Sequence, residues 1–283
     1  MWTLARLSPT ALPYTPQFFQ CGRVRGYGHP QLVTFLQSLP ALEHLSDEAD
    51  FKVYREHPNL VCEMPLPPEL GLPWARMVVV VKRFGWRGIQ HYLASPLKRS
   101  RAMKAYRTAC HLLAYGLRTP LPLGVCEERL WGFVQYNVYV TEAVTDVITL
   151  QQYYASLPDG PAGLEEVMRL VAAYTRRMHD SGLWHRDLVS SNLLLAGPPG
   201  HRHVYLVDLN RARRLPYMPA VLRAIDLARL GWREWLPQFC ALYSVGRFSA
   251  TRLLWIMRLY GRWRTLRWHG RRVLRPLRAW LRI

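Results

Sequence analysis

The sequence predicts an α+β protein of two lobes, a small strand-rich lobe followed by a larger helical one that ends in a basic helical extension. Three observations carry that expectation. β-Branched and apolar runs such as "NLVCEMPL" (59–66) and "ARMVVVVKRF" (75–84) fall in the first half. Stretches with apolar residues at three- and four-residue steps dominate the second half. From Gly246 onward the chain holds eleven arginines, no lysine and no acidic residue.

Residues 1–45 show no periodicity and stay unassigned; residues 46–142 read as the first lobe. "SPLKRSRAMKAYRTACHLLAYG" predicts a long helix, with Ser95 as N-cap, Pro96 at the first helical position and Gly116 as the stop. Ala102, Ala105, Tyr106, Ala109, Leu112 and Leu113 make its apolar face. "WGFVQYNVYVTEAV" reads as two strands around Gln135–Asn137. The second lobe, 143–246, opens with "GLEEVMRLVAAYTRRMHDSG". That helix is expected to carry acidic residues in its first turn, a stripe of Val167, Leu170, Val171, Tyr174 and Met178, and Gly182 as terminator. A hairpin turning at Gly197–Gly200 follows, and helices with short breaks continue from Met218, ending in the Arg/Trp-rich segment 247–283.

Composition narrows the class. Half of the 283 residues are hydrophobic and 12% aromatic, which excludes global disorder. The net charge of +19 points to a polyanionic partner: nucleic acid, an anionic membrane surface or a phosphorylated substrate. The cysteines (Cys21, Cys62, Cys110, Cys126, Cys240) show neither a C-x-x-C pair nor metal-ligand spacing. They read as small buried hydrophobes in a reducing compartment. Prolines at 9, 13 and 16 interrupt the N-terminus, against a signal peptide, and no apolar run approaches the ~18 residues that span a bilayer. The expectation is a soluble or peripheral cytoplasmic chain.

The chemistry lies in "SGLWHRDLVSSNLLL" (181–195). His185, Arg186 and Asp187 form H-R-D, Asn192 follows five residues later, and Asp208 ends the strand "VYLVD". Phosphoryl transfer needs a carboxylate to take the acceptor proton and oxygen ligands for a magnesium ion. Asp187 suits the first task, and Asn192 and Asp208 suit the second. Lys82 in "MVVVVK" matches a strand lysine that holds the α- and β-phosphates. Alone, each feature has a bland counterpart, a solvated turn or an ordinary strand-end lysine. Together, in this order, they are those of a protein-kinase-like fold.

With these residues the chain resembles the lipopolysaccharide kinase family, the Kdo- and heptose-kinase (WaaP-like) group, over roughly residues 50–235. The resemblance rests on "VVVVKRFGWRG", "SRAMKAYRTACHLLAYGLRTPLPLG", "YVTEAV", "MHDSGLWHRDLVSSNLLL" and "VYLVDLNRAR". It implies ATP- and magnesium-dependent phosphorylation of a sugar hydroxyl of the lipopolysaccharide inner core, peripheral to the cytoplasmic face of the inner membrane. It also implies a hinge with Glu142 near the adenine, and supporting roles for His185 and Arg186. Asp226 in "AIDLARL" has two readings, a buried brace of the catalytic loop or a plain helix charge.

The chain departs from kinase pattern at three places. Asn210 stands where the D-F-G motif has glycine, a replacement tolerable if that position is left-handed. No acidic residue lies between Pro96 and Gly116, and Ala105 sits near the usual glutamate. Lys82 is therefore expected to pair with another carboxylate, Glu63 being one candidate, or to be unclamped. A Gly-x-Gly-x-x-Gly loop is missing, and "REHPN" (55–59) is the expected turn in its place.

For the arginine tail three readings compete: a solvated kinase-lobe face, a membrane-binding surface and, least favoured, a nucleic-acid grip. Two alternatives to a lipopolysaccharide kinase also stand. One is a protein or small-molecule kinase on the same scaffold. The other is a pseudokinase that binds a partner or membrane without catalysis.

Overall fold

Part of the stretch without periodicity completes the core of the strand-rich lobe. The structure is a computed structural model and describes residues 12–39, 52–55, 59–66, 78–85, 89–157, 160–245 and 249–280. Gln17–Cys21 (β1) and Val24–Gly28 (β2) form an antiparallel hairpin, and Val33–Ser38 is a short helix (α1). These strands join Lys52–Arg55 (β3), Asn59–Pro65 (β4), Val78–Phe84 (β5), Pro122–Leu130 (β6) and Phe133–Glu142 (β7). The result is a seven-stranded antiparallel sheet in the order β1-β2-β6-β7-β5-β4-β3. Six helical residues are too few to show a period, which is why α1 leaves no trace in the sequence pattern.

α1 covers one face of the sheet. Leu32, Phe35, Leu36 and Leu39 pack with Val79 and Val81 of β5 and Val138 and Val140 of β7. Gly28 and Gly124 are partners on β2 and β6, and their missing side chains make the slot for Leu36. A Cβ at Gly28 would stand 2.2 Å from a Leu36 methyl, so alanine there forces the Leu36 side chain to shift.

The opposite face carries Arg101–Ala114 (α3), which contacts β5, β6 and β7. It starts five residues later than its sequence suggests. Ser100, not Ser95, is the N-cap and accepts from the Met103 N–H at 3.1 Å. Asn137 of β7 accepts from the Ala102 N–H at 3.1 Å, so a second cap comes from the sheet. Ser95 instead follows the short helix Ile89–Leu93 (α2), and its Oγ accepts from the Val134 N–H at 3.1 Å. The expected break around Gln135–Asn137 does not exist. β7 runs through it as one strand, because Asn137 is satisfied by α3 rather than by a turn. Of the "REHPN" turn, residues 56–58 lie outside the described residues; the flanking β3 and β4 pair antiparallel.

The chain divides into two compact units, 1–147 with 205–212, and 148–204 with 213–283. The segment bearing Asp208 thus groups with the strand-rich unit, although chain order suggested the helical one. The Leu206 carbonyl accepts from Thr119 Oγ1 at 2.8 Å, and the turn 209–211 packs on α3.

In the helical unit, Val147–Thr149 (β8) leads into Leu150–Ser156 (α4) through a Thr149–Gln152 capping box. Gly160–Asp180 (α5) begins three residues before the expected Gly163, so Glu165 and Glu166 lie beyond its first turn. Val167, Val171, Tyr174 and Met178 are buried as predicted, while Leu170 is half-buried. Gly182 ends the helix at φ +78°, and a Cβ there would stand 2.2 Å from the Leu215 carbonyl oxygen. That close approach lets Leu183–Trp184 (β9) pair with Arg213–Arg214 (β12). Leu193–Ala196 (β10) and His203–Leu206 (β11) flank a turn in which Gly197 and Gly200 both have positive φ, as the sequence suggests. Ala220–Leu227 (α6) and Leu236–Ser244 (α7) pack against Ala250–Trp280 (α8), which is a single 31-residue helix. Four cysteines are buried; Cys21, on the edge strand β1, is exposed.

Candidate active site

Lys82 projects from β5 on the α3 side of the sheet. It pairs in register with Val61 and Tyr139, while its neighbour Val81 points into the α1 core. Its ammonium donates to Asp208 Oδ1 and lies 5.3 Å from the Phe84 ring centroid. The carboxylate partner of Lys82 is therefore Asp208, not Glu63, whose Oε2 accepts from the Tyr54 hydroxyl. Helix α3 contributes packing in place of a glutamate: Ala105 is buried, and the helix lies against residues 209–211.

Asn210 explains itself differently from its sequence reading. The left-handed residue is Asp208 itself, at φ 60° and ψ 48°, while Asn210 sits in the 3-10 turn that follows. Its amide nitrogen donates to Asp208 Oδ1, so Lys82 and Asn210 grip the same carboxylate oxygen. The buried Asn210 Oδ1 has no hydrogen-bond partner among the described residues. Glu142, at the end of β7, is used by the fold. Its Oε1 accepts from the Leu121 N–H at 2.9 Å, its own N–H donates to the Leu121 carbonyl at 3.0 Å, and Ala143 N–H donates to the Val78 carbonyl.

The H-R-D loop lies in the helical unit, and its shape is set by one fully buried carboxylate. Asp226 of α6 accepts from the His185 N–H at 2.8 Å through Oδ2 and from the Arg186 N–H at 2.9 Å through Oδ1. This holds Arg186 at φ 68°, a strained position that the sequence alone does not reveal. His185 is fully buried, and the Arg186 guanidinium stacks over Trp184 at 5.3 Å. Asp187 then emerges with Oδ1 accepting from Arg229 Nη2, while Arg229 Nη1 donates to the Arg186 carbonyl at 2.6 Å. Asn192 donates its amide N–H to the Asp187 carbonyl at 2.9 Å, fixing five residues of loop across one turn.

Five residues that sequence reasoning missed complete the network around this loop. Arg229 stands three positions beyond Asp226, one turn along, and that spacing was the available signal. Fully buried His179 puts Nε2 3.6 Å from Asp226 Oδ2 and Nδ1 2.7 Å from the Tyr243 hydroxyl. Burial pushes its pKa below the ordinary 6.5, so the ring is neutral, with its proton on Nε2 facing the carboxylate. Tyr243, pushed up to about 12 by burial, donates to His179 Nδ1 and accepts from Arg223 Nη1 at 3.2 Å. Arg223 also binds Asp180 at 2.8 Å. Asp226 thus sits at one end of a polar chain, Asp226–His179–Tyr243–Arg223–Asp180, buried except at exposed Asp180.

Oxygen ligands are available for a hard divalent ion. In the first unit Asp208 carries a carboxylate, and in the second Asn192, anchored through its nitrogen, keeps its amide oxygen, each a donor type that hard divalent ions accept. Among the described residues no group of three or more His, Cys, Asp or Glu side chains could hold a metal.

The chain is 26% identical over 132 residues to a 3-deoxy-D-manno-octulosonic acid kinase of Photobacterium damsela subsp. piscicida, covering 47% of this chain and 52% of the relative. It is 28% identical over 138 residues to the mouse (Mus musculus) EKC/KEOPS complex subunit Tp53rkb, covering 47% of this chain and 53% of the relative. The chain spans about half the length of the curated relatives it matches. Among solved structures, WaaP in complex with acyl carrier protein superposes with a TM-score of 0.55 at 20% identity, over 75% of this chain and 88% of that one. This likeness shows the fold. The sequence model of the lipopolysaccharide kinase (Kdo/WaaP) family matches residues 80–240, more than half of the chain. The chain belongs to the lipopolysaccharide kinase (Kdo/WaaP) family.

Proposed function

We propose that this protein is an ATP- and magnesium-dependent kinase that phosphorylates a sugar hydroxyl, Kdo or heptose, of a lipopolysaccharide inner-core acceptor. The observation that carries this reading is the Asp226 clamp, which forces the H-R-D loop into one shape and presents Asp187 on a rigid base. The Asp187 carboxylate accepts the acceptor proton as the sugar oxygen attacks the γ-phosphorus and the bond to ADP breaks. Lys82 holds the α- and β-phosphates, moving from Asp208 to the nucleotide when ATP enters. Asp208 and Asn192 would each offer an oxygen to magnesium, which would supply charge neutralisation at the phosphate oxygens. Glu142 would mark the adenine end, its side chain fixing the strand end through Leu121. His185 and Arg186 act through the loop and do not touch substrate.

The acceptor is lipid-linked, so the enzyme works at the cytoplasmic face of the bacterial inner membrane. Among the described residues no helix is long and apolar enough to cross a membrane, consistent with peripheral attachment. The test is transfer of labelled phosphate from ATP to three acceptors: inner-core lipopolysaccharide, a generic protein substrate and an aminoglycoside. Label on the lipopolysaccharide alone is expected. Label on protein or drug alone would move the chain to those kinases, and nucleotide binding without transfer would make it a pseudokinase.

A further inference from the structure

We propose that the exposed face of α8 is a docking surface for an anionic lipid bilayer. This helix, Ala250–Trp280, lies outside residues 80–240 that match the family, so its surface belongs to this chain and not to the family pattern. One edge is buried: Leu253 and Met257 face inward, α8 lies on α6 and α7, and Met257 Sδ is 3.6 Å from Cys240 Sγ. The other edge exposes Trp255 by 64%, Leu259 by 53%, Trp263 by 48% and Leu266 by 71%. At about 100° per residue these four share an arc of about 80°, roughly opposite Leu253 and Met257.

The arginines alone do not segregate, but the apolar residues do, and arginines surround them. Arg258 and Arg262 border the stripe on one side, Arg267 on the other, and Arg252 stands in its first turn. The Arg267 guanidinium lies 5.1 Å over the Trp263 ring, and all four of these arginines are exposed.

Charge selects the occupant. From Gly246 on the chain has no acidic residue, so a second copy would meet like charge with like. Nucleic acid suits arginine and tryptophan but offers nothing to Leu259 and Leu266 on an open helical ridge. A bilayer suits all of them: phosphate headgroups for arginine, the interfacial zone for tryptophan, and the upper acyl region for leucine. The interspersed arginines hold the helix at headgroup depth, parallel to the surface. Membrane attachment through α8 deepens the proposed location of the kinase, yet it is measured without any phosphotransfer assay.

The experiment is flotation of the full chain with phosphatidylcholine vesicles, with and without phosphatidylglycerol, at low and high salt. Wild type is expected to float with the anionic vesicles, weakly with neutral ones, and less in high salt. The paired variants Trp255→Ser/Trp263→Ser and Leu259→Asn/Leu266→Asn are exposed changes expected to keep the melting temperature. Each should lower the bound fraction on anionic vesicles by about 10-fold. Variants that float like wild type would overturn the apolar stripe and leave arginine alone as the attractant. No flotation of wild type, with retention of a short duplex oligonucleotide or capture of an acidic protein, would overturn the bilayer as the occupant. Asp187→Ala should float like wild type whatever its activity, which separates failure of docking from failure of the kinase reading.

Discussion

Asp208 in the first unit and Asp187 in the second are both half-exposed carboxylates paired with a basic side chain, but what lies behind each differs. Asp208 is held by the side chains of Lys82 and Asn210, on a residue with left-handed backbone. Asp187 stands on a loop whose backbone N–H groups bind a fully buried carboxylate, which itself faces a buried histidine. The first arrangement can exchange partners when charged ligands arrive; the second cannot shift without leaving buried polar groups unsatisfied. The Asp208 carboxylate is thus held so that it can change partners, and the Asp187 loop is held in one shape.

The comparison breaks first at Asp226. Asp226→Ala removes the acceptor of two buried N–H groups and is expected to cost about 3 kcal/mol, each hydrogen bond to a charged group being worth about 1.5–3 kcal/mol. Urea unfolding measures it, and a loss under about 1 kcal/mol would mean that the clamp is not a stability element. Lys82→Met should do the reverse. Its ion pair is partly solvated, so the unfolding free energy from urea titration should change by less than about 1 kcal/mol while labelled-phosphate transfer falls sharply. Arg229→Ala should leave the fold standing and lower kcat by about 10-fold with KM nearly unchanged, since Arg229 orients Asp187 and the Arg186 carbonyl. Partial rescue by Arg229→Lys, which keeps the charge and loses the fork, separates positioning from simple charge.

The smallest effect is on pH. His179 has a folded pKa below its unfolded 6.5, so the unfolded chain binds a proton that the folded chain does not. Stability is therefore expected to be flat above about 6.5 and to fall as pH drops through and below it. His179→Gln should flatten that slope in a series of thermal melts. His29, also lowered by burial, contributes a background that remains in the variant.

What was legible in the sequence follows the physics of each feature. The strand β5 and the helices α3 and α5 are long, periodic and bounded, and their residues could be read directly. The loop residues His185, Arg186, Asp187 and Asn192 could be found because their spacing is itself chemical. The α1 cover could not, since six residues carry no period and the slot for Leu36 is made by glycines on two strands a hundred residues apart. Nor could the partner of Lys82, because Asp208 is brought to it by tertiary packing of 205–212 on α3. A helix start misplaced from Ser100 to Ser95 reflects two serines with equal capping chemistry, of which the sheet residue Asn137 selects one. The arginine tail hid its apolar stripe because burial of Leu253 and Met257 is what tells one face of α8 from the other.

The central claim is that Asp187, on its clamped loop, takes the proton of an inner-core sugar hydroxyl. Asp187→Asn keeps the size and the contact to Arg229 while removing the base, so it should fold and melt like wild type. Single-turnover transfer of labelled phosphate to inner-core lipopolysaccharide should fall by about 10²–10⁴-fold with ATP binding unchanged. Transfer by Asp187→Asn at the wild-type rate would contradict the account.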